Sequence, residues 1–192
     1  MTFSADKYAS ERLTIFLIGL PGSGKSTLGR ALQSAGVADF IDLDQAIEER
    51  AGMSVREIFD RQGEAAFRRL ETDTLHSLVA GSDTGGRILV VACGGGTPCF
   101  GDNLDHMLAT GRVVYLQARR DILIRRLLDA GDSRPLLRGR DADGVGRYVD
   151  DLTACRHPFY SRANATFDSS QLDTVEQIAA TVERFKSFIA LL

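Results

Sequence analysis

Eight consecutive residues, Gly19-Leu20-Pro21-Gly22-Ser23-Gly24-Lys25-Ser26, match the pattern G-x-x-x-x-G-K-[ST] at every fixed position. The pattern limits the fold because it works only where a strand ends and a helix begins. Residues 13–19 are an apolar run ending in glycine, which reads as a buried strand, and residues 25–35 read as a helix closed by Gly36. Between them, glycine lets the backbone curl until successive N–H groups from Gly22, Ser23, Gly24, Lys25, Ser26 and Thr27 face phosphate oxygens. The helix N-terminus adds partial positive charge at the same place. Lys25 is then placed to reach the β- and γ-phosphates, and the Ser26 hydroxyl to ligate Mg2+. The motif predicts binding of a nucleoside triphosphate.

The rest of the chain continues the alternation. Short apolar segments at 40–43, 87–93 and 113–116, with a last edge strand at 165–167, are separated by helical patterns at 44–51, 64–80, 103–109, 121–130, 143–161 and 174–192. Ser54 to Glu57 has capping-box spacing and starts a further short helix. Parallel strands need crossovers, and the helices supply them, so the expected architecture is a three-layer α/β sandwich. At 192 residues the chain fits one domain. It buries about 70% of its unfolded surface, enough for a core without disulfide or metal staples. With 23 Lys plus Arg against 26 Asp plus Glu, the net charge is −3, which disfavours nucleic acid or anionic membranes as partners. No apolar run approaches the ~20 residues of a membrane span, and residues 1–10, polar and mixed in charge, give no secretory signal. Cys93, Cys99 and Cys155 lack CxxC spacing; each reads as a small buried hydrophobe in a reducing cytoplasm.

Beyond the phosphate loop, several residue groups suggest chemistry. Asp42 and Asp44 stand at i and i+2 at the end of the second strand, so alternation sends both carboxylates to one side, toward the carboxyl end of the sheet where ligands bind. One can orient the water shell of Mg2+, and the other can draw a proton from an acceptor hydroxyl; Asp44 reads equally as a helix N-cap. Glu64, Arg68 and Glu71 share a helix face, either as a solvated ladder of ion pairs or with one of the adjacent arginines 68 and 69 aimed into the site. Gly94, Gly95 and Gly96 follow the third strand directly, as backbone brought close to a ligand would. Residues 134–144 break the rhythm as a mobile loop, and Arg134 there could close over a transferring phosphoryl group. His76, His106 and His157 form no ligand set and read as surface or helix-packing residues, and Tyr160 as packing.

In order and spacing, the segments 19–27, Asp-Leu-Asp at 42–44, 58–71, Gly-Gly-Gly at 94–96, Arg-Pro-Leu-Leu at 134–137 and Arg-x-Pro-x-Tyr at 156–160 together resemble the shikimate kinase family over residues 13–167. The resemblance implies a nucleoside-monophosphate-kinase-like sandwich with five parallel strands in the order 2-3-1-4-5, cytoplasmic and mostly monomeric. It implies ATP and shikimate as substrates with Mg2+ as cofactor, and transfer to the shikimate 3-hydroxyl on the route to chorismate and the aromatic amino acids. Asp44, Arg68, Arg156 and Gly94 to Gly96 would hold shikimate, with the arginines on its carboxylate and Glu71 orienting Arg68. Ser26 and Asp42 would serve Mg2+, and Lys25, Asp44 and Arg134 would be catalytic. The stretch 167–171 lacks the arginine that lies over adenine in many members, which leaves Arg126 to stack on the base from the other side.

Two other function classes stay open on the sequence: a same-fold kinase for another anionic polyol such as gluconate, and a nucleotide-binding regulator without phosphotransfer. An ATPase motor is disfavoured, since no second domain is present to move. The apolar end, residues 188–192, fits core packing first and a self-association surface second.

Overall fold

A computed structural model describes residues 13–80, 88–131 and 139–192, the side chains of 79 and 80 excepted. Five strands, β1 (Thr14–Ile18), β2 (Asp39–Asp42), β3 (Leu89–Ala92), β4 (Arg112–Gln117) and β5 (Ala165–Asp168), form one parallel sheet in the order β2-β3-β1-β4-β5. Around it lie α1 (Lys25–Ser34), α2 (Leu43–Ala51), α3 (Val55–Ala80), α4 (Asn103–Thr110), α5 (Arg120–Asp129), α6 (Ala142–Tyr160) and α7 (Val175–Ile189). The expected class and strand order are both present.

The central strand explains the layering. All five residues of β1 are buried, because a strand covered on both faces has no polar side. Phe16 and Ile18 point to one face, with Val91 and Val113 from the flanking strands, and pack against Leu43, Ile58, Phe67, Leu75, Leu123 and Tyr160. Ile15 and Leu17 point to the other and pack against Leu28 and Leu32 of α1 and Val182, Phe185 and Ile189 of α7. Helices α2 to α6 therefore cover one face, and α1 and α7 the other. Packing is closest where α1 crosses β2: a Cβ built on Gly29 would stand 2.0 Å from the Phe40 ring. In the apolar chain end Ile189 is buried and the half-buried Phe188 and Leu192 pack on the same layer, whereas Ala190 and Leu191 are exposed. The Leu192 carbonyl accepts a hydrogen bond from Arg112 at the start of β4.

Local expectations are met in part and corrected in part. The two helical segments expected in the 54–80 region are present and run end to end as α3, divided at Gly63, whose φ of 77° and ψ of 171° break the helical path. The Ser54–Glu57 capping box forms in both directions: Ser54 N–H donates to Glu57 Oε2 at 2.9 Å, and Glu57 N–H to Ser54 Oγ at 3.2 Å. The loop placed at 134–144 ends earlier, because Asp141 caps α6 by accepting from Gly144 N–H at 2.8 Å. Cys93 is buried as expected, but Cys99 is half-buried and Cys155 exposed, so the small-hydrophobe reading fails for Cys155. His76 and His106 do pack, their rings stacked with centroids 3.8 Å apart across α3 and α4. Among the described residues, no helix is long and apolar enough to cross a membrane.

Candidate active site

The carboxyl ends of β1, β2 and β3 meet at a cleft of about 410 Å³. Its lining includes Gly22, Gly24, Lys25, Ser26 and Thr27 of the phosphate loop, Asp42 and Asp44, Gly94 and Gly95, and Arg126 at one edge. Gly24 takes φ of 89°, a left-handed turn that starts α1 and that side chains resist. Lys25 Nζ donates to the carbonyls of Gly19 at 2.9 Å and Leu20 at 3.1 Å, so its ammonium is drawn over the loop. Ser23 departs from expectation. Its side chain is buried, and its N–H donates to the Leu20 carbonyl at 3.1 Å, inside the loop's own turn.

Asp42 and Asp44 both reach the cleft, but not by strand alternation. The strand stops at Asp42, and Asp44 lies in the first turn of α2. The cap is Asp42, whose Oδ1 accepts from Asp44 N–H at 3.2 Å, so the capping role considered for Asp44 belongs to its neighbour. The other oxygen of Asp42 accepts from Ser26 Oγ at 2.6 Å, which joins the end of β2 to the start of α1. A hydroxyl and a carboxylate converging beside the phosphate loop match the hard oxygen ligands that Mg2+ takes while keeping most of its waters.

The Asp44 side chain borders open space, yet its carboxyl is crowded by protein. Desolvation, followed by the negative charges of Asp42 and Glu71, pushes its pKa up to about 6 from the ordinary 3.8, against the opposing pull of Lys25. A proton acceptor poised near neutrality results.

Three consecutive glycines have separate reasons. A Cβ on Gly94 would stand 3.2 Å from Glu71 Oε1 and 3.3 Å from Asp44 Oδ1. One on Gly95 would meet Arg156 Nη1 at 2.5 Å and the Gly19 carbonyl at 3.3 Å, and one on Gly96 would meet Arg68 Nη2 at 3.0 Å. The missing side chains are the space into which Asp44, Glu71, Arg156 and Arg68 converge, within contact of the phosphate loop. Tyr160, read as packing alone, also donates from its hydroxyl to the Gly95 carbonyl at 2.7 Å and so anchors this run.

Of the two adjacent arginines on α3, Arg69 is exposed and Arg68 turns inward. Arg68 Nη1 donates to the buried Glu71 at 2.8 Å, and its Nη2 lies 3.2 Å from the exposed Glu64. Both readings of the Glu64–Arg68–Glu71 face are thus realised together. Arg156 differs: it lies beside the Tyr160 hydroxyl, and its Nη1 is buried with no hydrogen-bond partner among the described residues. All three nitrogens of Arg126 are engaged. Nε donates to Asp173 at 2.6 Å, Nη1 to the carbonyls of Gly22 at 3.1 Å and Ser169 at 3.3 Å, and Nη2 to Ser170 at 3.0 Å. Arg134 lies outside the described residues.

A larger cleft of about 490 Å³ opens between α5 and α6 at the ends of β4 and β5. Its guanidiniums are already paired, Arg119 with Asp121 at 2.6 Å and Arg120 with Asp150 at 2.7 Å. The smaller cleft is where the chemical groups converge.

Comparison with known proteins agrees with this geometry. A family model for shikimate kinase matches residues 21–186. The chain is 39% identical over 177 residues to the shikimate kinase of Bacteroides thetaiotaomicron, covering 92% of this chain and 98% of that one. It is 40% identical over 172 residues to that of Phocaeicola vulgatus, covering 90% and 95%. Among solved structures, it superposes on the B. thetaiotaomicron shikimate kinase with a TM-score of 0.84 at 38% identity, over 93% of this chain and 98% of that one. The Acinetobacter baumannii shikimate kinase, solved in complex with shikimate, gives 0.75 at 28% identity over 93% of each chain. Matched along nearly its whole length in both sequence and fold, the chain belongs to the shikimate kinase family.

Proposed function

We propose that the protein transfers the γ-phosphoryl group of ATP to the 3-hydroxyl of shikimate, giving shikimate 3-phosphate and ADP. The observation that carries this reading is the buried Nη1 of Arg156, without a hydrogen-bond partner among the described residues and packed on Gly95, one residue from where Arg68 packs on Gly96. A buried cationic donor without a partner is costly, and a ligand carboxylate satisfies it. Arg156 and Arg68 thus form a clamp for the acid group, and Asp44 beside them takes a ring hydroxyl.

The reaction is one of positioning and charge neutralisation. The amides of the phosphate loop, Gly22 and Gly24 to Thr27, cradle the phosphates, and Lys25 swings from its carbonyls to the β- and γ-oxygens. Ser26 and Asp42 would hold Mg2+, which would supply charge neutralisation for the transferring phosphoryl group. Asp44 accepts the proton as the 3-hydroxyl oxygen bonds to the γ-phosphorus and the bond to the β-phosphate oxygen breaks, with ADP leaving. Arg134 is assigned to the loop that covers the transferring group, and the flat face of Arg126 to the adenine. The whole chain is read as one catalytic domain, a cytoplasmic monomer with small-molecule partners, without nucleic acid or membrane; its modest charge of −3 supports this.

The test is ADP release by the purified chain with ATP and Mg2+, comparing shikimate, gluconate and no acceptor. Release that rises with shikimate alone is the expected outcome. Release indifferent to shikimate would exclude the assignment, and a rise with gluconate instead would point to the other polyol.

A further inference from the structure

Arg68 is held by a relay that begins outside the glycine run. Its Nη1 donates to Glu71 Oε2 at 2.8 Å, and the other oxygen of that carboxylate accepts a 2.5 Å bond from Thr97 Oγ1. Glu71 and Thr97 are 1% and 0% exposed, so water does not compete for either group. Thr97 opens a 3₁₀ turn, Thr97–Cys99, directly after Gly96. Its backbone is fixed at both ends: the N–H donates to the Gly94 carbonyl at 3.1 Å, and the carbonyl accepts from the fully buried Asn103 Nδ2 at 3.0 Å. Just past the turn, the Phe100 ring centroid lies 5.9 Å from Arg68 Cζ, and the Phe67 ring lies 5.3 Å from it.

The physical consequence is specific. An arginine pairs with a carboxylate through a planar fork, so its plane has to be set before the ligand arrives. Glu71 sets that plane only while its own carboxylate is kept from rotating, and the Thr97 hydroxyl is the second hold that does so. Donation from Thr97 also shares the negative charge of Glu71, so Arg68 is less fully neutralised and keeps its attraction for a second anion.

We propose that Thr97 is a positioning residue for shikimate binding, acting on Arg68 through Glu71. This rests on the reading of Arg68 as a partner of the substrate carboxylate. Steady-state kinetics of the full chain test it. Thr97→Val keeps the shape and removes the hydroxyl; it should raise the KM for shikimate about tenfold, the size of one lost hydrogen bond to a charged group, while kcat and the KM for ATP stay within about twofold. Thr97→Ser should restore the KM, and in an Arg68→Ala background Thr97→Val should add nothing. Thr97→Ala, which removes the hydroxyl without a misplaced methyl, carries the same expectation if the valine variant does not fold. An unchanged KM for shikimate, a serine variant as impaired as valine, or an equal loss in the Arg68→Ala background would each overturn the proposal. Should Arg68→Ala by itself leave the KM for shikimate unmoved, the carboxylate clamp falls instead.

Discussion

Asp44 keeps its proton to about pH 6 because its carboxyl is drawn out of water and faces the charges of Asp42 and Glu71. As a proton acceptor it has to be ionised, so kcat/KM should be flat at neutral pH and fall about tenfold per unit once the pH drops below about 6. Asp44→Asn should lower kcat by about 10²-fold or more and remove that limb of the profile. The sign for stability is opposite. The native carboxyl resists ionisation, so the penalty is absent below the ordinary value of 3.8 and fully present above about 6. The asparagine variant should therefore melt higher than wild type at pH 7 and no higher at pH 3.5, a difference that calorimetry at the two pH values reads directly. A residue that weakens the fold while serving the reaction is expected at such a site. A variant that keeps both its turnover and the acid limb would return Asp44 to a purely structural place.

Elements place these residues by close contact, and single atoms decide whether they can. The end of β2 carries Asp42, and its position depends on Phe40 lying against Gly29 of α1. Gly29→Ala should cost about 1–3 kcal/mol by overpacking, measured by denaturant unfolding, and should weaken Mg2+-dependent activity as Asp42 and Ser26 are moved apart. The same scale shows what a sequence reveals. The capping box at Ser54 and Glu57, the phosphate loop and the strand–helix alternation were legible because their partners lie within a few residues of one another. Asp42 and Asp44 were expected on one strand, but period-2 spacing cannot say where a strand yields to a helix, and the N-cap went to the earlier residue. Thr97 was invisible, since its partner Glu71 is 26 positions away and nothing local to Thr-Pro-Cys marks a buried hydroxyl. Gly94 to Gly96 stood out as a run, yet the reason for each glycine is a different long-range side chain. The bonds of Arg126 were hidden for the same reason, its partners lying at positions 22, 169, 170 and 173.

Across the whole molecule, two hydrophobic layers hold the sheet, and the layer that packs on α1 depends on α7. Phe185 is fully buried there and meets Phe167 edge-on at 5.0 Å. Phe185→Ala should cost about 3–5 kcal/mol, seen as a lower denaturant midpoint, with the KM for both substrates little changed in the fraction that remains folded. Loss of substrate affinity at full folding would show that α7 helps to set the position of the phosphate loop at the start of α1. The bond between Arg112 and Leu192 bears on handling of the protein. It puts the last residue at the rim where strands begin, about 20 Å from the rim where they finish, given the six residues of β4. An anchor joined at Leu192 would present the mouth of the cleft outward, so chains tethered to a bead by that end should turn over as fast as chains free in solution.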